Sequence, residues 1–313
     1  MSNELRIAKR EVRGEIMTTD TYVEVQSLDT SQAVLEQAVD SSFELFRDFA
    51  KRYSRFSFGN ELYQFNTAEG EFEVSAELYS LLEASLTYYK LTEGLFDPAI
   101  LPALLEEGYT TSIVPGGPEV YQPTGKSADM LELKLLGGYR VSKPKGLLLD
   151  FGGIGKGFVA DKVANYLAAN YKNYVVDAGG DIYFAGSDIH NGYDSWFSQT
   201  LHPYDDSKGL VTLRMKDAAV ATSGITRRHW KLGMEDKHHI IDPRTAKSVS
   251  NDVLTATVIS ESTIKSDVLA KTLVIMGASK AIAYCKRRNL AGFVVNRDLE
   301  ILLSPEMEKY VQT

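Results

Sequence analysis

A mixed α+β fold, two-lobed, with a helix-rich N-terminal part, a β-rich centre and C-terminal helices, is predicted by three observations. Apolar residues recur at helical spacing through the first third of the chain. Short alternating or apolar runs bounded by glycine and asparagine fill residues 131–260, and helical spacing returns at 262–289. Residues 11–26 alternate around a turn-like Thr18-Thr19-Asp20 and read as a strand pair. Residues 31–52 carry apolar residues at Val34, Leu35, Ala38, Phe43, Leu45, Phe46 and Phe49, a roughly helical spacing, with Ser31 as N-cap. A polar, aromatic-laced connection is expected over 53–66. A second helix is expected over 75–92 behind Ser75, and a third over 97–108, opened by Asp97-Pro98. Pro115, Pro118 and Pro123 with the pair Gly116-Gly117 mark residues 109–130 as a boundary loop. Residues 1–313 are expected to form a single unit, with lobes roughly at 11–108 with 262–313 and at 131–260 on either side of that loop. Beyond the loop, LELKLL, YRVSK, LLLDF, NYVVDAG and DIYFAG read as strands, GKGFVADKVANYLAANY as a helix, and GFVVN and LEILL as closing strands.

The chain has 313 residues, 44% of them hydrophobic and 24% charged, which is ordinary globular composition. Its net charge of −8 and lack of a basic block argue against non-specific nucleic-acid or anionic-membrane binding, since both need dense cationic contacts. A single cysteine, Cys285, rules out an internal disulfide and a cysteine-based zinc site. The N-terminus is charged from residue 4 and has no apolar leader, so a cytoplasmic location is expected.

Four segments could carry chemistry. In LLLDFGGIGKGFVADKVANYL, residues 147–167, an apolar strand runs through Gly152, Gly153, Gly155 and Gly157 into an amphipathic helix, with Lys156 among the glycines. Glycines at such a junction let backbone N–H groups approach an anion, and a helix N-terminus favours negative charge. A tight turn with a surface lysine is the alternative. The Walker A pattern fails, because Gly157 follows the lysine. The dinucleotide fingerprint nearly fits, but no second βαβ half follows. In VVDAGGDIYFAG, Asp177 and Asp181 flank Gly179-Gly180, which by itself reads as a hairpin turn. The third stretch holds Thr222, Ser223, Arg227 and Arg228, then His239-x-x-Asp242, a candidate pair for proton transfer or ligand orientation. The fourth is STIKSDVLAKTLVIMG, where Asp267 and Lys271 share a helical face and Thr272 is turned away. There Asp267 could form a surface ion pair or hold a hard cation such as Mg2+.

In this order and spacing, over residues 16–300, the segments IMTTDTYVEV, SRFSFGNELYQFN, LTEGLFDPAI, LDFGGIGKGFVADKV, VVDAGGDIYFAG, AVATSG, HHIIDPRTAKSV and SDVLAKTLVIMG resemble the ApbE family of FAD:protein FMN transferases. The resemblance implies a Mg2+-dependent enzyme that binds FAD, moves its FMN part to a Thr or Ser hydroxyl of an acceptor flavoprotein and releases AMP. It implies flavin-nucleotide contacts at Ser57, Asn60, Glu61, Asp97, Gly153, Lys156, Gly179, Gly180, Asp181, Ser223 and His239. Catalytic roles would fall to His239, Asp242 and Lys156. The metal would be held by the Gly155 carbonyl and Asp267, with Lys271 at the family's threonine position and Thr272 beside it. That lysine leaves three outcomes: Thr272 slides into register, Lys271 swings outward, or Lys271 takes over part of the metal's charge role. It also leaves open FAD pyrophosphatase activity, or non-catalytic FAD binding at an impaired metal site. Thr18 stands for the family's glycine, Ala99 for a threonine and Ala246 for a glycine.

Overall fold

The computed structural model describes residues 7–110, 121, 125 and 127–312. Eight antiparallel strands form one sheet whose spatial order follows the chain. They are β1 (Ala8–Ile16), β2 (Thr19–Ser27), β3 (Asn173–Ala178), β4 (Ile182–Ala185), β5 (Ala218–Gly224), β6 (Val253–Ser260), β7 (Ala291–Asn296) and β8 (Ile301–Leu303). The helices and the other strands are inserted between neighbours. The helices are α1 (Gln32–Tyr53), α2 (Glu61–Thr67), α3 (Ala76–Leu91), α4 (Leu101–Glu106), α5 (Gly155–Ala168), α6 (Thr263–Met276) and α7 (Ala278–Arg288).

The central strands are buried on both faces, which explains their near-continuous apolar runs. In β3, Tyr174, Val176 and Ala178 pack in the core shared with α1 and α5. Val175, between them, packs on the far side against Phe184 and Trp196. The same alternation puts Val258 and Val294 under α6 and α7, while Ile259 and Phe293 face away. A long hairpin, Trp196–His202 with Asp205–Met215, covers that far face; Trp196 Nε1 donates to the Ala185 carbonyl at 2.8 Å.

Because β2 pairs directly with β3, and β6 with β7, the sheet takes strands from both expected lobes. The chain therefore divides into a sheet and its coverings, and the proposed boundaries at 11–108 with 262–313 and at 131–260 cut across hydrogen-bonded neighbours. Much of the expected boundary loop, 111–120 with 122–124 and 126, lies outside the described residues.

Most expected helices appear within a residue or two of their limits. Ser75 Oγ accepts from Leu78 N, and Asp97 accepts from Ala99 N at 2.8 Å, so both capping assignments hold. Ser31 occupies the N-cap of α1 without a side-chain hydrogen bond. Three details differ. The stretch 53–66 contains α2, started by Asn60, whose Oδ1 accepts from Tyr63 N at 2.9 Å. LLLDF is not a strand: Leu149 N donates to the Asn66 side chain and Asp150 N to the Pro98 carbonyl, so helix-lobe partners replace a ladder. The C-terminal helical stretch is broken at Gly277, whose φ of 80° lies in the left-handed region that glycine tolerates.

Candidate active site

The glycine bend and the start of α6 meet at one end of α5. Asp150 Oδ1 accepts from Gly152 N at 2.8 Å, which fixes the bend, and α5 begins at Gly155 with its N-terminus toward a cavity. Farther along α5, Asp161 Oδ1 and Oδ2 accept from Thr263 N and Ile264 N at 2.7 and 3.0 Å, capping α6. The two helices touch at Gly157, where an added Cβ would sit 2.6 Å from Ile264 Cα and 2.8 Å from the Thr263 carbonyl oxygen. No residue but glycine allows this approach. It carries Asp267 under α5, with Oδ2 accepting from Gly157 N at 3.3 Å.

The cavity, about 390 Å3, lies within the ordinary range of ligand sites. Met17 and Thr18, the tip of the β1–β2 hairpin, form one lip. Both have left-handed φ values, 58° and 55°; for the β-branched Thr18 that is strained backbone at a cavity edge. A second wall holds Arg55, fixed by Asp150 at 2.9 Å and by the Tyr109 carbonyl at 2.9 Å, with its guanidinium against the Phe56 and Tyr109 rings, which meet edge-on. Tyr109 in turn stacks on Trp230 at 5.0 Å between centroids. The polar end is lined by Gly152, Gly153, Gly155, Lys156, Arg228 and Lys271, with His239 beside them.

Charges alternate at that end. The hairpin turn at Gly179-Gly180, with φ values of 73° and 89°, projects Asp181 inward, where it pairs with Lys156. Burial, then the Asp267 carboxylate, pushes the Asp181 carboxyl up to about 7 against the pull of Lys156. Burial opposes the charge on Lys156, but Asp181 and Asp267 outweigh it and hold the ammonium above its ordinary value. Lys271 Nζ lies 3.4 Å from Asp267 Oδ1 and reaches over the glycine bend, where a Cβ on Gly153 would meet it at 3.1 Å. His239 Nδ1 faces the Arg228 carbonyl at 3.4 Å. A carbonyl can only accept, so Nδ1 carries the proton and Nε2 is the acceptor. Burial, then the Arg228 and Lys271 cations, brings the ring down to about 3, so it is neutral.

Of the expected site residues, Ser57, Asp97, Gly153, Gly155, Lys156, Lys271 and His239 line the cavity, and Asp181 and Asp267 lie directly behind its cations. Others stand elsewhere. Asn60 caps α2. Glu61 is held by Arg52 at 2.5 Å and by Ser75 N. Asp242 forms a two-pronged pair with Arg244 and does not hydrogen-bond His239. Ser223 lies on β5 opposite Ala256, away from the cavity lining. Arg227 pairs with Asp206 at the surface, whereas Arg228 points inward. Arg55, Asp150 and Tyr109 were not singled out as chemical groups in the sequence; nothing local marks them, since loops far apart bring them together.

The residues at the expected metal position do not suit a divalent cation, which needs free oxygen ligands. Asp267 Oδ2 faces Gly157 N–H and its Oδ1 faces an ammonium. Thr272 donates to the Val268 carbonyl at 2.8 Å and is fully buried, so it has not slid into register. Gly155, as the first residue of α5, turns its carbonyl along the helix axis. Among the described residues no group of three or more His, Cys, Asp and Glu side chains could hold a metal. A dication ~4 Å from the Lys271 ammonium would be repelled by roughly 8 kcal/mol at an effective dielectric near 20, twice the unit-charge value.

Comparison with known proteins agrees with this layout. The FAD:protein FMN transferases of Vibrio cholerae and Haemophilus influenzae are 27% and 25% identical over 279 and 310 residues. These matches cover 86% and 91% of this chain and 81% and 85% of theirs. The Treponema pallidum FAD:protein FMN transferase is 29% identical over 227 residues, which span 67% of this chain and 62% of that protein's own length. Among solved structures, the ApbE protein of Thermotoga maritima superposes with a TM-score of 0.85 at 23% identity, covering 97% of this chain and all of that one. The flavin transferase ApbE from Vibrio cholerae gives 0.80, also at 23%, covering 97% and 99%. The ApbE family profile matches residues 17–294, and the chain belongs to the ApbE family.

Proposed function

We propose that this chain binds FAD in the cavity and transfers its FMN part to a Thr or Ser hydroxyl of an acceptor flavoprotein, releasing AMP. The observation that supports it best is the gathering of three cations, Lys156, Arg228 and Lys271, around a glycine bend and a helix N-terminus at the polar end of an aromatic-walled cavity. A pyrophosphate joining two aromatic halves matches that distribution. The acceptor hydroxyl oxygen attacks the FMN-side phosphorus, its new P–O bond forms, and the P–O bond to AMP breaks. Lys156 and the 152–157 backbone hold the phosphates, Lys271 and Arg228 balance their charge, and His239 Nε2 takes the hydroxyl proton. Asp242, committed to Arg244, has no part in this step.

Incubating the protein with FAD and a Thr-bearing acceptor flavoprotein tests the proposal. Covalent flavin fluorescence on the acceptor after a denaturing gel is expected, with one AMP per flavin. Free FMN with unlabelled acceptor would mean that water is the nucleophile and the transfer reading is wrong.

His239 gives a separate check. Exchanging it for glutamine is expected to slow transfer by about 10²–10⁴-fold. Its depressed value keeps the ring of the free protein neutral down to about 3, so kcat/KM for transfer should show no loss from His239 between pH 8 and 5. The stability effect has a definite sign. The unfolded ring takes up a proton near 6.5 and the folded one does not, so stability tied to His239 is complete above that value and falls as pH drops below it. By pH 5 the wild type should lose about 1 kcal/mol relative to His239→Gln; the ideal ~2 is halved because the residue is only partly buried. Urea melts at pH 7.5 and 5 measure it.

A further inference from the structure

In a pyrophosphate site, the charge that faces the bridging oxygens can come from a metal ion or from the protein itself. The position at issue lies over Gly153, between the start of α5 and the second turn of α6. The Lys271 side chain fills it. Its Nζ is 3.4 Å from Asp267 Oδ1, it would stand 3.1 Å from a Cβ on Gly153, and its chain is only 16% exposed. Asp267 is therefore already neutralised by a covalently attached cation, and its other oxygen is fixed by Gly157 N–H. The second inward carboxylate, Asp181, is likewise taken by Lys156. The hydroxyl that could have served as an oxygen ligand, Thr272, is committed to the Val268 carbonyl on the opposite side of α6.

We propose that the Lys271 ammonium, held by Asp267, stands in for a divalent cation, so that this protein binds the pyrophosphate of a flavin dinucleotide without a metal. This rests on the reading that FAD is the ligand. It deepens that reading, because the lysine supplies one fixed positive charge where a metal would supply two exchangeable ones. Binding should therefore be indifferent to chelator but sensitive to salt, since the charged partners are partly reached by solvent.

Titrating the full-length protein with FAD, followed by quenching of flavin fluorescence, tests the inference in EDTA and in millimolar MgCl2. The wild type is expected to give the same Kd within about twofold in both buffers. Lys271→Met should weaken FAD binding by about tenfold or more in both. Lys271→Thr should weaken it in EDTA and recover it with MgCl2, because the hydroxyl supplies an oxygen ligand and the repelling charge is gone. Calorimetric titration with MgCl2 alone should show no site in the wild type and one in Lys271→Thr, and thermal melts check that each variant is folded. A wild-type Kd about tenfold tighter with MgCl2 than with EDTA would overturn the inference and leave the functional proposal standing. Failure to bind FAD in both buffers would overturn both.

Discussion

Exchanging Gly157 for alanine is expected to destabilise the protein by about 3 kcal/mol and to abolish FAD binding, although the change adds one methyl group. The added Cβ would lie 2.6 Å from Ile264 Cα and 2.8 Å from the Thr263 carbonyl oxygen, both backbone atoms of the first turn of α6. A flexible side chain could swing aside, but a helix N-terminus held by Asp161 cannot. Relief requires α6 to move away from α5, which breaks the Gly157 N–H bond to Asp267 and shifts Lys271 off the bend. For a chain of this size the loss corresponds to a fall in Tm of roughly 6 °C. Gly152→Ala offers a contrast, because the nearest obstacle there is a side-chain oxygen, Asp150 Oδ1, and not helix backbone, so a smaller loss is expected. An unchanged melting temperature in Gly157→Ala would show that the two helices are not in contact as described.

Removing the cation from the second buried pair should cost as much and separate stability from activity. Lys156→Met leaves Asp181, 2% exposed, without its counter-charge. Breaking a buried pair on one side costs about 3–5 kcal/mol when the remaining group stays ionised. Asp181 can escape by taking a proton. Its folded value is already raised to about 7 with Lys156 present, and loss of the cation raises it further above the unfolded value near 3.8. A raised folded value means stability is present at low pH and lost as pH rises, so the deficit of Lys156→Met should be small at pH 6 and grow toward pH 9. Adding Asp181→Asn should restore most of the stability, since no buried charge is left unpaired. It should not restore transfer, because the phosphates still lack a cation; a loss of about 10²-fold or more is expected in both variants. If the double variant regained full activity, Lys156 would be a structural cation only.

The turn Gly179-Gly180 shows how far a local signal carries. Read alone it is a hairpin, and it is one, with positive φ at both glycines and Asp177 accepting from Gly180 N at 2.7 Å. The pairing of the adjoining Asp181 with Lys156, 25 residues earlier, comes from pairing between β3 and β4 and the packing of α5 beneath them. The α2 helix was legible but passed over, since Asn60 before Glu61 is a capping signal that the surrounding aromatics obscured. LLLDF misled because an apolar run of strand length can be buried without a ladder when side chains such as Asn66 satisfy its backbone.

What the sequence by itself determined was whatever depends on neighbours along the chain. That covers the helical faces, most of the caps, the alternation in the buried strands and the glycine–lysine bend, because period, φ preference and capping chemistry act over a few residues. The order of motifs also carried the family resemblance. Only the tertiary structure decided which charges meet. Lys156 found Asp181, Lys271 folded inward onto Asp267 and over Gly153, Asp242 turned to Arg244, and Arg55 was fixed between Asp150 and two rings. Helical geometry had left Lys271 free to point in or out. The close contact allowed by Gly157 and the buried carboxylate one turn upstream settled it, since electrostatic pairing in a low-dielectric wall depends on distances set by packing.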